Sequence, residues 1–481
     1  MHKLLATSTA ARPTGSPPQR KLFRISDGVF AGRLAALYMD SASGISLTYA
    51  DSPYSSWSTP QQVISDSSDS SFSGSMDKTG NVRIVYTDSA GAIKYLKLSI
   101  AAGTWNAGSA VTIVNVDSSY NPFIMTDGDG KLWCMFVNHQ TSSDSNYYVR
   151  AKTSSDDGLN WGSGSLDLGD LLSAGSSDIC FVTARQLSSS IYAVYTSGRS
   201  DLKYNAYDLG LGTWGGESSI HSGNYIDDDF DFAVSPDKKL GVVFAVSTDS
   251  KIYFKEFDGA GWSGLCEIEG SLSKSPRILY ADKVSDIFFA KIQGGDYGIL
   301  RHARKTGDTF SVDDFSAASG LFEKVFVYDD SAATRYEDKS SEAADSVTGD
   351  IFHSESSALL DAVDDCLYLG KQERFVCTAI LLSVNGAGGQ VVWEYFDGSL
   401  WKTFIPQSGV YHFDSADSLV YLWTDGESIP SDWQIGTVNG HLAYWVRAWV
   451  GTAYTTNPVG SMLIPAPRFA DLALAKNHYE G

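Results

Sequence analysis

The chain is short of positive charge. Its 36 lysines and arginines stand against 57 aspartates and glutamates, a formal net charge of −21. A nucleic-acid partner needs a basic stripe to displace counterions from phosphates, and the sequence shows none. An acidic surface suits solubility and a cationic or metal-ion partner. Cysteine is scarce too: Cys134, Cys180, Cys266, Cys366 and Cys377 are odd in number, with no C-x-x-C spacing. Neither a disulfide framework nor a zinc site is indicated, and the thiols read as small buried hydrophobes of a reducing compartment. The eight histidines form no H-x-H or H-E-x-x-H pair, so metal-hydrolase chemistry has no motif. No P-loop and no Gly-x-Ser-x-Gly elbow occurs. The apolar run at Leu4-Leu5 dies at Thr7, too short for a secretory core, and nothing reaches membrane-spanning length. A protein made and kept soluble in a cytoplasm, with no membrane insertion, is the expectation.

What the chain has is length, aromatics and turns. Its 481 residues suggest two or three domains, and its 45 glycines, with abundant Ser, Asp and Thr, suit short antiparallel strands. A unit repeats six times: an apolar strand, a short turn, an alternating strand, then a polar turn ending in an aromatic. Leu34–Asp40 with Ile45–Asp51, and Val82–Asp88 with Ile93–Leu98, open the series. The closing aromatics are Trp57, Trp105, Trp161, Trp214, Trp262 and Phe310, about fifty residues apart, the length of a four-stranded propeller blade. One blade cannot bury both of its faces, whereas a ring of blades can. The expected fold is all-β: a six-bladed β-propeller over residues 23–318 and an antiparallel β-sandwich over 325–464. Arms at 1–22 and 465–481 flank them, rich in Pro (Pro13, Pro17, Pro18, Pro465, Pro467) and expected to be flexible until a neighbouring subunit orders them.

One closing turn is sharper than the rest. Ser154, Asp156, Gly158 and Trp161 fit the Asp-box pattern S-x-D-x-G-x-x-W. Its carboxylate can accept turn N–H bonds, its Gly permits positive φ, and its Trp plugs the space between strands. Ala50–Trp57 reads as a degraded copy. On these residues the first domain resembles the sialidase-type propeller superfamily, where the Asp box is a folding device remote from the ligand face. Sialidases also carry a Phe/Tyr-Arg-Ile-Pro motif whose Arg grips a substrate carboxylate. Here Phe23-Arg24-Ile25-Ser26 departs from it in the last residue, leaving Arg24 as the one candidate ligand-binding side chain. The full machinery would add further inward arginines, from Arg83, Arg150, Arg185, Arg199 and Arg277, and a Tyr polarised by a Glu. Arg83 and Arg150 sit at outward strand positions. None of Glu217, Glu256, Glu267 and Glu269 has a recognisable nucleophile context. No catalytic residue is assigned. Asp127-Gly128 reads as a hairpin turn, and Asp227, Asp229 and Asp231 as a candidate cation site. No cofactor is otherwise expected, Ca²⁺ being the ion that those carboxylates would suit.

After Phe310 the pattern changes. Asp397-Gly398 and Asn439-Gly440 are hairpin signals, and most of Trp393, Trp401, Trp433, Trp445 and Trp449 sit at alternating positions, which favours core packing over the alternative of a sugar-binding face. Leu367-Tyr368-Leu369-Gly370, Trp393-Glu394-Tyr395, Asp397-Gly398-Ser399, Asp432-Trp433 and Tyr444-Trp445-Val446-Arg447 resemble a β-sandwich module of bacteriophage virion and tail-associated proteins. That resemblance implies a non-enzymatic virion structural protein of head, neck or tail. Such a protein would assemble in the host cytoplasm as a homo-oligomer, with other virion proteins or a host-surface glycan as partners. The rival expectation is a sialidase-like glycoside hydrolase with an accessory carbohydrate-binding domain.

Overall fold

The computed structural model describes residues 8–465 except 11, 17, 53–55, 142, 224–227, 247, 271–272, 282–283, 295–296, 308, 315–320, 346, 376 and 424–428. These residues divide into two compact units, 8–290 with 302–313, and 291–301 with 314–465. Apart from one short helix, Ser340–Ala344, the regular structure is strand.

Residues 22–314 form six successive antiparallel sheets, each built from consecutive strands: a six-bladed β-propeller. The repeated pair legible in the sequence is the second and third strand of each blade, not the innermost. Blade one runs Leu22–Arg24, Leu34–Met39, Ile45–Ala50, Gln61–Ile64, and blade three runs Ser118–Thr126, Leu132–His139, Tyr147–Ser154, Asp170–Leu171. In blades two and four the outermost strand is broken into two pieces that pair with the same third strand.

The propeller core is parcelled into seams between neighbouring blades. Val85, Tyr95, Ile124, Phe136 and Trp161 fill the seam of blades two and three, and Val137, Val149, Val182 and Tyr195 that of three and four. Each fully buried large apolar side chain contributes about 1.5–3 kcal/mol relative to exposure, which explains why the second strands are apolar on both faces.

The second unit is an antiparallel sandwich. One sheet is ordered Tyr336–Asp338, Lys324–Tyr328, Cys366–Lys371, His441–Thr452, Gln390–Phe396, Trp401–Phe404, and the other Asp417–Tyr421, Cys377–Val384, Val459–Ile464. Val325, Leu367, Trp393 and Val446 of the first share a core with Ile380, Val420 and Leu463 of the second. Asn439 (φ 46°) and Gly440 (φ 80°) make the tight hairpin that their sequence signals. Trp393, Trp433 and Trp445 are buried, and each indole N–H donates to a carbonyl, of Tyr411, Trp445 and Gly436 respectively. Arg447 pairs with Glu394 at 2.6 Å and lies 4.4 Å from the Trp401 ring. The residues that carry the module resemblance are thus mainly fold-holding ones.

Candidate functional site

Because strands alternate in direction, the turns joining strands one to two and three to four share one end of the propeller. The turns joining two to three, and the connections between blades, share the other. The Asp box lies at the first end. Asp156 accepts from Asn160 N at 2.9 Å and from the Asn160 side-chain amide at 2.6 Å, and Ser154 Oγ donates to it at 2.7 Å. The Asn160 amide, then its N–H and Ser154, hold this carboxyl down at about 2. Gly158 has φ +91°, and a Cβ there would stand 2.2 Å from the Tyr95 ring, so no other residue fits. Trp161 donates to Gly158 O at 3.0 Å and packs against Tyr95 of blade two. The neighbouring Asp157 holds Arg83 at 2.8 Å, which places Arg83 in a seam. In the degraded copy Asp51 takes a bidentate pair from Arg33 (2.7 and 2.8 Å). Asp127 closes its hairpin by accepting from Asp129 N, Lys131 N and the Trp133 indole.

Phe23 and Ile25 are buried in the seam of blades one and two, while Arg24 between them is exposed. Asp227 lies outside the described residues. Asp231 is buried and accepts from Phe232 N at 2.8 Å and Ile278 N at 3.0 Å, with Arg185 3.8 Å away. Asp228, within the same acidic run, pairs with Arg12 at 2.6 Å. The Asp229 carbonyl accepts from Ala245 N. Among the described residues no group of three or more His, Cys, Asp or Glu side chains is arranged to hold a metal ion.

A Tyr–Glu pair does exist, and the sequence reading missed it. Tyr195, in the second strand of blade four (Ser190–Ser197), donates toward Leu172 O at 2.8 Å and Glu217 at 3.0 Å. Glu217 also accepts from Lys203 at 2.7 Å and Ala174 N at 3.2 Å. Tyr195 is 0% exposed. Burial first, and then the Glu217 charge, push its phenol far above the ordinary range, the opposite of what a nucleophile requires. Burial alone would raise the Glu217 carboxyl, but Lys203, the Ala174 N–H and the Tyr195 hydroxyl together hold it low. The pair is a structural strut. Through Ala174 it fixes the connection entering blade four.

That connection borders a half-exposed cluster of side chains between blades three and four at the second end. Ser176 exchanges two backbone hydrogen bonds with Tyr147 (2.7 and 2.9 Å), laying the connection against blade three. Cross-strand register places His139 opposite Tyr147, and their rings stack at 4.1 Å and 3°. Tyr120 follows, 6.4 Å from Tyr147. All three rings are half-buried. Facing them from blade four are Asp178, exposed, and Arg199, 3.4 Å from it. Burial, then Tyr120 and Asp178, push the Tyr147 phenol up, so it stays a neutral hydrogen-bonding hydroxyl. Tyr148 donates to Asp144 in the adjoining turn. A row of aromatic faces beside a carboxylate and a guanidinium can take a ligand with one weakly polar face and a rim of hydroxyls. Of these residues only Arg199 had been singled out from sequence. The doubled Tyr147-Tyr148 after a polar turn was the available signal.

No family model matches the chain, and no curated protein matches it. Distantly similar solved structures include the BP39L lectin from Burkholderia pseudomallei, 13% identical with a TM-score of 0.48 over 64% of this chain and 87% of the lectin. A PL25 ulvan lyase bound to a GlcA–Rha3S saccharide is 11% identical with a TM-score of 0.47, over 65% of this chain and 86% of the lyase. The Trypanosoma rangeli sialidase in complex with 2,3-difluorosialic acid is 11% identical with a TM-score of 0.39, over 98% and 96%.

Proposed function

We propose that the chain is a non-catalytic glycan-binding protein, with the groove between blades three and four as its sugar site. The observation that carries this is the half-exposed row His139, Tyr147 and Tyr120 beside Asp178 and Arg199. Sugars offer a C–H face to aromatic rings and hydroxyls to charged groups, and hold by many modest contacts. Hydrolysis would require a nucleophile that substrate can reach, and Tyr195 is sealed beneath the groove. For its setting we propose a bacteriophage virion appendage, a homo-oligomer docked to other virion proteins and assembled in the host cytoplasm. What supports the setting is the sequence resemblance of the second unit, from Leu367-Tyr368-Leu369-Gly370 to Tyr444-Trp445-Val446-Arg447.

A glycan array probed with the labelled full chain tests the binding reading. Retention of a coherent set of glycans, lost in Tyr147→Ala, is expected. An empty array, or turnover of a fluorogenic sialoside, overturns it. Absence of the chain from purified particles would overturn the virion setting alone.

A further inference from the structure

From residue 8 onward the N-terminal segment is no free arm. Ser8 Oγ donates to Met39 O, and Thr9 N donates to Asp40 O. Met39 N and Leu37 N donate to Pro13 O and Lys21 O (2.7 and 2.8 Å), so the chain runs along the inner edge of blade one. Between those two anchors it leaves the edge and reaches other blades. Gly74 N of blade two donates to Arg20 O at 2.8 Å, and Arg20 N donates to Ser73 Oγ at 3.1 Å. The Gln19 side-chain amide donates to Pro122 O of blade three at 3.3 Å, and the Arg20 guanidinium lies 5.7 Å from the Phe123 ring. In the other direction Arg12 meets Asp228, which sits just ahead of the inner strand of blade five (Phe230–Val234), at 2.6 Å. Ser16, Gln19 and Lys21 are 2%, 6% and 3% exposed, although polar residues such as these are ordinarily at the surface.

Inner strands line a propeller's axial channel. A segment that bonds to those of blades two and three, and beyond to the entrance of blade five, lies across that channel. Its Arg12–Pro13 part lies at the end that also carries the groove, because Asp228 and Met39 both belong to that end, and its Arg20 part reaches down the channel, because Ser73 and Gly74 lie toward the far end of Ser67–Met76. We propose that residues 8–10, 12–16 and 18–21 are a strap that closes the axial channel at the ligand end, with Arg12–Asp228 as its latch. The strap does two jobs. It ties together blades that share no strand, since each sheet is made of consecutive strands, and it bars ligands from the channel, leaving the lateral groove as the entrance in the closed form. Asp228 is nearly buried and Arg12 half exposed (side chains 7% and 51%), the asymmetry of a latch set from outside into a protein socket.

Limited trypsin digestion of the full chain, read by mass spectrometry at the Arg20–Lys21 and Lys21–Leu22 bonds, tests this. Cleavage there requires the strap to lift, so its rate follows the open population. The seated wild-type strap resists. Arg12→Gln and Asp228→Asn each speed cleavage by about tenfold, and the double variant is no faster than the faster single one. Should Asp228→Asn loosen blade five itself, Arg12→Gln, altered at a half-exposed side chain, still decides. Cleavage of the wild type as fast as of Arg12→Gln, or two single effects that multiply, overturns the latch. Glycan binding is a separate readout, so the strap and the groove fail independently.

Discussion

Two clusters share the seam of blades three and four and use similar residue types to opposite ends. At the rim, His139, Tyr147 and Tyr120 stand half-open beside Asp178 and Arg199. Beneath them, Tyr195 and Glu217 are locked together with Lys203 and the Ala174 amide. Both hold a tyrosine close to an acid. Solvent decides what each can do: a phenol at the rim can meet a sugar, while one in the seam can only hold two blades in register. A Tyr–Glu pair is therefore no mark of catalysis without access.

The largest expected effect falls on the buried member. Tyr195→Ala removes a fully buried ring and should cost about 3–5 kcal/mol in urea unfolding. A loss under about 1 kcal/mol would mean that the strut is slack and the contrast with the rim false.

Glu217→Gln comes next. It leaves Lys203 with a weakened partner, and with side chains 22% and 19% exposed the loss should be about 2 kcal/mol near neutral pH. The sign with pH is fixed. A carboxyl held low in the folded state contributes stability above its unfolded value, ordinarily about 4.3, and that contribution is lost as pH falls through the folded value. Wild type and variant should therefore converge in stability only as pH falls beneath the unfolded value and on through the folded one. Parallel curves down to acid pH would show that Glu217 is not held by charge.

Much of this fold was legible in the sequence, for a physical reason. Trp105, Trp161 and the apolar second strands report seams whose packing is mostly local to one repeat and the next. The inner strands were not legible: Ser67–Met76 reads SSDSSFSGSM, a loop-like composition. It is a strand because its backbone pairs with Val82–Asp88, on the channel side of the blade where small polar residues are tolerated. The prolines of the N-terminal segment likewise read as an unstructured arm, whereas its order comes from Arg12, Gln19 and Arg20 meeting residues up to 216 positions away. The groove was hidden because it needs both the register that pairs His139 with Tyr147 and the connection that brings up Asp178. Arg24, singled out by its short motif, is the exposed residue of Leu22–Arg24, beside buried Phe23.

The smallest expected effect on stability attaches to the largest effect on function. Tyr147→Ala, at a half-exposed ring, should shift unfolding by no more than about 1 kcal/mol.

The account's central claim is met most directly by titrating an array-selected glycan into the full chain carrying Tyr147→Ala or Tyr195→Phe. Binding should weaken at least about tenfold in the first and stay within about twofold of wild type in the second. The reverse pattern, with the glycan indifferent to Tyr147 and dependent on the Tyr195 hydroxyl, would contradict it.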